Sequence, residues 1–246
     1  MTSDKEPILS THALTGGYGD FQALFGIDFH IQAGEVVALI GANGAGKSTF
    51  LKSLFGLLPV ASEMVRYEGR PVGGTAAHRM VGQGIAMVPE GRRLFLGMTV
   101  EENMRVAIDN ARLAEDKGTW NRARLFDLFP ILGEKRDQPV EDLSGGQQQM
   151  VAISRALLCQ PKVLLCDEIS LGLAPKVISE IYAVVPEISA AGTSIVLVEQ
   201  DVTLAREASN RLYCMLEGRI TLTGISREIS RDDIAAAYFG ASHAVA

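Results

Sequence analysis

A glycine-rich stretch that ends in lysine and serine is the part of the chain best suited to chemistry. Residues 41–48 read GANGAGKS and match the G-x-x-x-x-G-K-[ST] spacing of a phosphate-binding loop. Glycines allow the backbone to aim successive N–H groups at one anion, and a following helix adds partial positive charge at its N-terminus. Lys47 would bring a full charge to the β- and γ-phosphates, and Ser48 a hydroxyl ligand for Mg²⁺. The residues predicted to bind a nucleoside triphosphate are Gly41, Asn43, Gly44, Ala45, Gly46, Lys47, Ser48 and Thr49.

The neighbouring residues supply the strand and the helix that this motif needs. Residues 36–40 are an apolar run typical of a buried strand, and residues 49–54 continue in a helical pattern. A glycine-rich turn that merely happens to carry a lysine would require neither neighbour. The context therefore favours a functional phosphate loop over a chance match.

Two acidic residues follow a second apolar strand. Residues 162–168 read KVLLCDE, which places Asp167 and Glu168 at a strand end. Phosphoryl transfer depends mainly on positioning and charge stabilisation, so one carboxylate can serve Mg²⁺ and the other the attacking water. Paired acidic residues at a strand end are common in any protein, but the upstream phosphate loop favours the catalytic interpretation. Asp167 is a predicted metal ligand, and Glu168 a predicted catalytic residue.

A third motif lies between the first two. Residues 143–147 read LSGGQ and precede a helical pattern. Ser144 offers a hydroxyl, Gly145 and Gly146 offer flexible backbone amides, and Gln147 completes the turn into the helix. This is a second predicted anion site, chemically similar to the phosphate loop.

In this order and spacing, the three motifs resemble the nucleotide-binding domain of ATP-binding cassette (ABC) proteins, from about Tyr18 to Gly224. The resemblance implies a head-to-tail dimer in which the loop at Ser144 caps the ATP held by the opposite subunit. It also implies that Tyr18 stacks on adenine. The alternative for Tyr18 is an aromatic residue exposed beside a turn.

Three positions depart from the usual cassette pattern. Glu90 replaces a glutamine and could ligate Mg²⁺, whereas Gln200 replaces the switch histidine and could still hydrogen-bond a γ-phosphate. Ile169 replaces a proline and has no assignable role. Segments 88–95, 98–103, 170–175 and 198–201 together resemble one of the two ATPase subunits of branched-chain amino-acid importers. Gln200 is therefore retained as a predicted catalytic residue, and Glu90 as a predicted metal ligand.

Membership of this subgroup would define the partners. It implies ATP and Mg²⁺ as cofactors, a second ABC ATPase subunit (identical or a sister chain), two membrane permeases and, indirectly, a secreted solute-binding protein. Arg92 and Arg93 would then lie beside the groove that receives the permease, with Phe95, Leu96 and Met98 lining an apolar slot. Alternatively, these apolar residues pack the helical region against the core, and the arginines are solvated.

Composition excludes several other classes of protein. With 246 residues, 47% hydrophobic and 21% charged, the chain suits one compound globular domain. A net charge of −6 argues against general nucleic-acid binding, and no apolar run approaches the ~18 residues of a membrane span. The N-terminus lacks a secretory pattern, so we expect a cytoplasmic protein, peripheral on the inner face of the membrane. The cysteines read as core residues, and His12, His30, His78 and His243 match no catalytic or metal motif.

These motifs must be positioned by an α/β fold. Alternating strands and helices predict a P-loop NTPase (RecA-like) core with a mostly parallel sheet. Glycine-broken apolar runs in residues 8–31 and 65–72 predict an antiparallel β-subdomain. Helical periodicity predicts an inserted signature subdomain at about 92–160, within a core of about 1–91 and 161–246. Helices are expected at 100–110, 122–129, 176–190 and 204–208, and strands at 85–88, 163–166, 194–198, 212–216 and 219–222.

Other functions remain open at this stage. A non-transport cassette ATPase would usually contain two fused cassettes or long coiled-coil or basic insertions, and neither occurs in this sequence. A P-loop kinase would lack the LSGGQ loop and would need a lid with an acceptor pocket. Subgroup members also serve importers of urea, amides and aromatic solutes, and an ATPase subunit that never touches the solute does not reveal which one is carried.

Overall fold

A six-stranded sheet carries the phosphate loop in the computed structural model, which describes residues 6–111 and 118–240. From one edge to the other run β10 (Arg219–Ile225), β9 (Arg211–Leu216), β3 (Val36–Ile40), β8 (Ser194–Glu199), β7 (Val163–Asp167) and β6 (Ile85–Val88). All neighbouring pairs are parallel except the β9–β10 hairpin at the edge. Parallel strands are covered on both faces, which explains their nearly continuous apolar sequences. Because their carboxyl ends meet at one edge, the residues that follow β3, β6, β7 and β8 converge there.

The predicted antiparallel subdomain is confirmed as a separate four-stranded sheet. Its spatial order is β2 (Phe21–Ile31), β1 (Leu9–Tyr18), β4 (Val65–Tyr67) and β5 (Arg70–Pro71). Along the second half of β2, Ile27, Phe29 and Ile31 are buried while the residues between them are exposed. The ring of Phe29 meets Phe50 of α1 (Lys47–Leu54) edge-on at 5.2 Å between centroids. This contact packs the subdomain against the helix that follows the phosphate loop.

Helices dominate the inserted region, as predicted. They are α3 (Val100–Ala111), α4 (Arg122–Leu128), α5 (Pro130–Glu134) and α6 (Gly145–Leu158). Met104, Leu125, Leu132 and Leu157 are fully buried and belong to one apolar cluster that continues into one face of the central sheet. The bounds of this subdomain at residues 92 and 160 remain a prediction.

The described residues contain six further helices beside the sheets: α1, α2 (Ala77–Gly82), α7 (Pro175–Ala183), α8 (Val185–Ala190), α9 (Val202–Ala208) and α10 (Arg231–Phe239). The single helix predicted over 176–190 is wrong, because α7 and α8 are separate. Pro186 has no N–H to donate to the carbonyl four residues earlier, so the helical ladder is interrupted. The helix predicted to end at Phe129 ends at Leu128, because the residue before a proline leaves the α region. Helices α2 and α10 were not predicted.

The remaining predictions concern residues away from the site. Cys166 and Cys214 are free and buried, as expected of core residues, whereas Cys159 is only partly buried. No helix in the described ranges combines the length and apolar character needed to cross a bilayer. His243 and the N-terminal segment 1–5 lie outside the described residues.

Candidate nucleotide and hydrolysis site

The phosphate loop leaves β3 and enters α1 directly. Gly41 lies against β9, where a Cβ would be 2.3 Å from the carbonyl oxygen of Met215. Gly44 and Gly46 have φ values of 80° and 105°, in the left-handed region that favours glycine. Gly46 precedes α1 without a side-chain cap, so the first backbone N–H groups of the helix are left for an anion. The loop therefore has the backbone of a phosphate site.

Lys47 is buried at the first position of α1. Its Nζ donates to the carbonyl oxygens of Gly41 and Ala42, at 2.8 and 3.1 Å. The same atom lies 3.4 Å from Oε1 of Glu168. These contacts hold the ammonium group between the loop and the end of β7. A phosphate bound at the loop would therefore meet a full positive charge.

Carboxylates cluster at the strand ends beside the loop. Asp167 is the last residue of β7, and its Oδ1 accepts a hydrogen bond of 2.9 Å from Ser48 Oγ. Burial raises the pKa of Asp167, and the charges of Glu168 and Glu90 raise it further, whereas the bond from Ser48 and the charge of Lys52 lower it. A hydroxyl and a carboxylate in contact, with more carboxylates nearby, are the hard oxygen donors that Mg²⁺ prefers. The residues present fit that ion.

Glu168 follows in a left-handed turn. Its φ is 49°, and its N–H donates to the carbonyl oxygen of Val198 at 3.0 Å. Such a conformation costs a non-glycine residue about 1–3 kcal/mol and persists only where its surroundings hold it. Nε2 of Gln200 donates to Oε2 of Glu168 at 2.6 Å, while Lys47 lies near the other carboxylate oxygen. The structure thus joins three residues that were predicted from three separate motifs.

Sequence reasoning missed a buried polar cluster behind this turn. Glu199 ends β8 and is 2% exposed; its Oε2 accepts from Ser170 Oγ at 2.5 Å, and its Oε1 accepts from the Tyr182 hydroxyl. Burial raises the pKa of Glu199, and these hydrogen bonds oppose that rise. Burial also raises the pKa of Tyr182. Ser170 and Glu199 fall in two of the segments that resemble the importer subgroup, but no role was predicted for either, and Tyr182 lies in no motif. The one available signal was Glu199 itself, a charged residue at the end of the apolar strand β8.

The loop at Ser144 is organised differently from the phosphate loop. Ser144 Oγ accepts from the N–H of Gln147 at 3.3 Å, and the N–H of Ser144 donates to Gln147 Oε1 at 3.1 Å. Gly146 lies so close to α7 that a Cβ would be 2.2 Å from Cγ1 of Val177. Gly145 lies beside the guanidinium of Arg92. Within the described ranges, no hydrogen bond joins this loop to the phosphate loop. Within the described part of one chain, Ser144, Gly145, Gly146 and Gln147 therefore make no hydrogen bond to the residues of the phosphate loop.

Tyr18 lies at the end of β1 with 48% of its surface exposed. Nζ of Lys52, on α1, is 3.5 Å from its hydroxyl and 5.9 Å from its ring centre. The ring therefore stands next to the helix that begins at the phosphate loop. Asn43 is exposed in that loop, and Thr49 is buried. Stacking of Tyr18 on adenine stays a prediction.

A groove of about 970 Å³ lies between β6 and the helices α3 and α6. Its lining includes Arg92, Arg93 and Phe95, but not Leu96 or Met98, which were expected to form part of the apolar slot. Leu96 is 71% exposed. Of the three apolar residues expected to line the slot, Phe95 therefore borders the groove beside the arginines, and Leu96 and Met98 do not.

Two side chains hold the segment that borders this groove. Arg155 donates to the carbonyl oxygen of Arg93 at 2.9 Å and places its guanidinium 4.6 Å from the ring centre of Phe95. The buried side chain of Asn103 accepts from the N–H of Phe95 at 2.9 Å and donates to the carbonyl oxygens of Phe95 and Thr99. Both contacts join the segment to the inserted helices rather than to the core sheet.

Known proteins with similar sequences show the family of this chain. The model of the ABC transporter family matches residues 24–170. The high-affinity branched-chain amino acid transport ATP-binding protein BraG of Pseudomonas aeruginosa is 41% identical over 215 residues, which cover 87% of this chain and 91% of BraG. The probable branched-chain amino acid transport ATP-binding protein LivF of Archaeoglobus fulgidus is 34% identical over 223 residues, which cover 90% and 94%.

A solved structure supports the same assignment. The protein cbiO1 of Clostridium perfringens, part of the ABC transporter complex cbiONQ, superposes with a TM-score of 0.77 at 30% identity, covering 91% of this chain and 90% of cbiO1. The predicted P-loop NTPase fold with its antiparallel subdomain is confirmed. The chain belongs to the ABC transporter family, as an ATP-binding subunit with ATPase function, and is similar to the ATP-binding proteins of branched-chain amino acid transport.

Proposed function

We propose that the chain binds and hydrolyses ATP to drive an importer of branched-chain amino acids or related small polar solutes. The observation that carries this proposal is the convergence of Lys47, Ser48, Asp167, Glu168 and Gln200 at one edge of the sheet. The substrate class is supported by the similarity to BraG and LivF, which are named for branched-chain amino acid transport.

Nucleotide recognition falls to two parts of the chain. The exposed ring of Tyr18 stacks on adenine, and the amides of residues 41–49 surround the phosphates. Lys47 already has two backbone carbonyls and a carboxylate as neighbours, so it is positioned before nucleotide binds. When phosphate oxygens enter the loop, the ammonium group exchanges weaker carbonyl contacts for charge-assisted ones.

Ser48 and Asp167 are the proposed magnesium ligands, with Glu90 as a further oxygen donor. Magnesium bound there would neutralise charge on the phosphate oxygens during transfer. Asp167 must be ionised for this role, although burial raises its pKa. The hydrogen bond from Ser48 and the nearby charge of Lys52 favour the ionised form. These two contacts partly oppose the effect of burial on the pKa of Asp167.

Glu168 and Gln200 act on the hydrolytic water. One carboxylate oxygen of Glu168 is engaged by Gln200 and the other faces Lys47. Entry of phosphate draws Lys47 away and leaves that oxygen to accept a proton from water. The amide of Gln200 has a second N–H that can reach the γ-phosphate, although it cannot carry the positive charge of a histidine.

A second ABC ATPase subunit completes each site. Ser144 is exposed and makes no hydrogen bond to the phosphate loop of its own chain, so its hydroxyl is available to ATP on another subunit. Two such loops in a head-to-tail dimer enclose two nucleotides. The partner is either an identical chain or a sister subunit.

The other proposed partners are two permeases and, indirectly, a secreted binding protein. The chain would then be peripheral on the cytoplasmic face of the membrane. The groove lined by Arg92, Arg93 and Phe95 receives a permease helix. Its neighbour Glu90 contributes to the charge around Asp167, so the same segment reaches both the metal site and the groove. Closure of the dimer can thus be transmitted to the membrane partners.

Uptake in cells tests this proposal. A strain that lacks the chain should lose uptake of labelled leucine, and the parent gene should restore it. Lys47→Ala should not restore it. Arg92→Glu combined with Arg93→Glu should keep ATP hydrolysis in the purified subunit but fail to restore uptake. Normal leucine uptake in the deleted strain, with loss of urea or amide uptake instead, would refute the proposed substrate class.

A further inference from the structure

The turn that carries Glu168 is held at two points by Glu199, the last residue of β8, and by Gln200, which follows it. Gln200 donates to the carboxylate of Glu168 at 2.6 Å, and Glu199 accepts from the hydroxyl of Ser170 at 2.5 Å. Glu168 and Ser170 are separated by one residue. The two residues that anchor them, Gln200 and Glu199, are adjacent in the sequence. The hydrogen bonds and the intervening backbone therefore close a small ring around the strained turn.

Glu199 is fixed in turn from a third element. Tyr182, on α7, donates its hydroxyl to the carboxylate oxygen that Ser170 does not use. Both tyrosine and glutamate are buried, at 8% and 2% exposure. With both oxygens engaged, the carboxylate cannot rotate away without leaving a buried donor unpaired, which is unfavourable.

Holding a loop with a buried carboxylate is energetically unfavourable, because the charge loses its hydration. Among the described residues, no lysine, arginine or histidine pairs with Glu199, and the nearby charge that acts on it is the negative one of Glu168. Burial of an unpaired charge costs free energy, which hydrogen bonds only partly offset. Fully satisfied networks of this kind do, however, restrict local geometry strongly. The arrangement therefore suits precise placement of the turn better than overall stability.

We propose that Glu199 is a positioning residue for ATP hydrolysis, and that the chain Tyr182–Glu199–Ser170 clamps the left-handed turn so that Glu168 keeps its place beside Gln200 and Lys47. The inference rests on the catalytic role proposed above for Glu168. None of the three clamp side chains hydrogen-bonds to the phosphate loop. Loosening the clamp should therefore slow the chemical step without weakening nucleotide binding.

Steady-state hydrolysis and thermal unfolding of the purified subunit test the clamp. Tyr182→Phe and Ser170→Ala each remove one hydroxyl, and each should lower kcat about tenfold while KM for ATP stays within about twofold. Glu199→Gln keeps one acceptor oxygen, so its kcat should fall less than that of Glu199→Ala. Tyr67→Phe is the matched control, because the buried Tyr67 hydroxyl has no partner among the residues that the structure describes. That control should keep the parent kcat.

A second background separates positioning from a purely structural role. Residual hydrolysis by Glu168→Gln should not fall further when Tyr182→Phe or Ser170→Ala is added, because the clamp acts through Glu168. Clamp variants that lower only the melting temperature and keep the parent kcat would overturn the proposal, as would an equal tenfold loss in both backgrounds. If Glu168→Gln itself hydrolyses ATP at the parent rate, the role proposed for Glu168 fails, whatever the clamp variants do.

Discussion

The two helix N-termini that carry anion-binding motifs differ in how their backbone donors are used. Helix α1 begins after Gly46, without a side-chain cap, so its first N–H groups are open to a ligand. Helix α6 begins after Ser144, and Gln147 closes a reciprocal pair of hydrogen bonds with it. Such a capping box satisfies two backbone donors, the N–H groups of Ser144 and Gln147, that an anion would otherwise contact. The helix N-terminus is thus fully open at the phosphate loop and partly closed at the loop of Ser144.

From this difference we expect the phosphate loop to bind ATP within one chain and the loop of Ser144 not to. The phosphate loop adds a buried Lys47 and a hydroxyl at Ser48 to its open amides, all within one chain. At the capped loop, the hydroxyl proton of Ser144 and the N–H groups of Gly145 and Gly146 remain as donors, because the capping box engages the N–H groups of Ser144 and Gln147. We therefore expect the capped loop to contribute to nucleotide already held by another subunit, and to make little contribution to nucleotide affinity.

Changing the catalytic carboxylate should have the largest effect. Glu168→Gln should lower kcat about 10²–10⁴-fold, the usual contribution of a general base, while ATP binding is retained. Because nucleotide then persists, the variant should also accumulate as an ATP-bound dimer. The exposed Glu180→Gln, on α7, is the matched control and should hydrolyse normally. Hydrolysis by Glu168→Gln at the parent rate would place the catalytic base elsewhere.

Removing the positive charge of Lys47 at the phosphate loop should have the second-largest effect. Lys47→Ala should weaken ATP binding roughly 10- to 100-fold, because a charge-assisted contact to phosphate is lost and Glu168 loses its cation. Calorimetric titration with ATP at low protein concentration measures this directly. Lys176→Ala removes an exposed lysine and should bind like the parent. Equal affinity in the Lys47 variant would contradict the asymmetry between the two loops.

A smaller and different effect is expected at the capped loop. Ser144→Ala should leave ATP affinity of the dilute subunit unchanged, yet lower hydrolysis about tenfold, because one donor to the partner's nucleotide is lost. Loss of the cap should also destabilise the fold by about 1 kcal/mol. Ser144→Thr keeps both the cap and the hydroxyl and should restore both properties. A matching loss of affinity in Ser144→Ala would mean that both loops bind nucleotide in one chain.

The smallest effect concerns pH. The pKa of Asp167 in the folded protein is raised above its ordinary value, chiefly by burial, so the folded state disfavours the charged form. Its contribution to stability is therefore greatest at acidic pH and is lost as pH rises through the folded pKa. Without nucleotide or Mg²⁺, Asp167→Asn should melt on the order of a few degrees higher at neutral pH, and the gain should shrink in acid. A gain independent of pH would contradict this.

Much of the fold and part of the site could be predicted from local patterns. The phosphate loop, β3 and β7 were predictable because their apolar runs and motif spacing depend on neighbouring residues alone. The break between α7 and α8 was missed, although Pro186 signals it, because the apolar periodicity continues across it. The partners of Glu199 could not be predicted, because Ser170 and Tyr182 reach it only after β7, β8 and α7 have packed together.

We expect the phosphate loop of one chain and the Ser144 loop of another to form one hydrolysis site. Specific ATPase activity measured against protein concentration, with the mass of the species recorded by light scattering, tests it most directly. We expect total ATPase activity to rise more than proportionally with protein concentration in the dilute range, so that activity per mole increases in step with dimer formation. Ser144→Ala should weaken this increase in activity and the formation of the ATP-bound dimer. Constant specific activity from a protein that remains strictly monomeric would contradict the account.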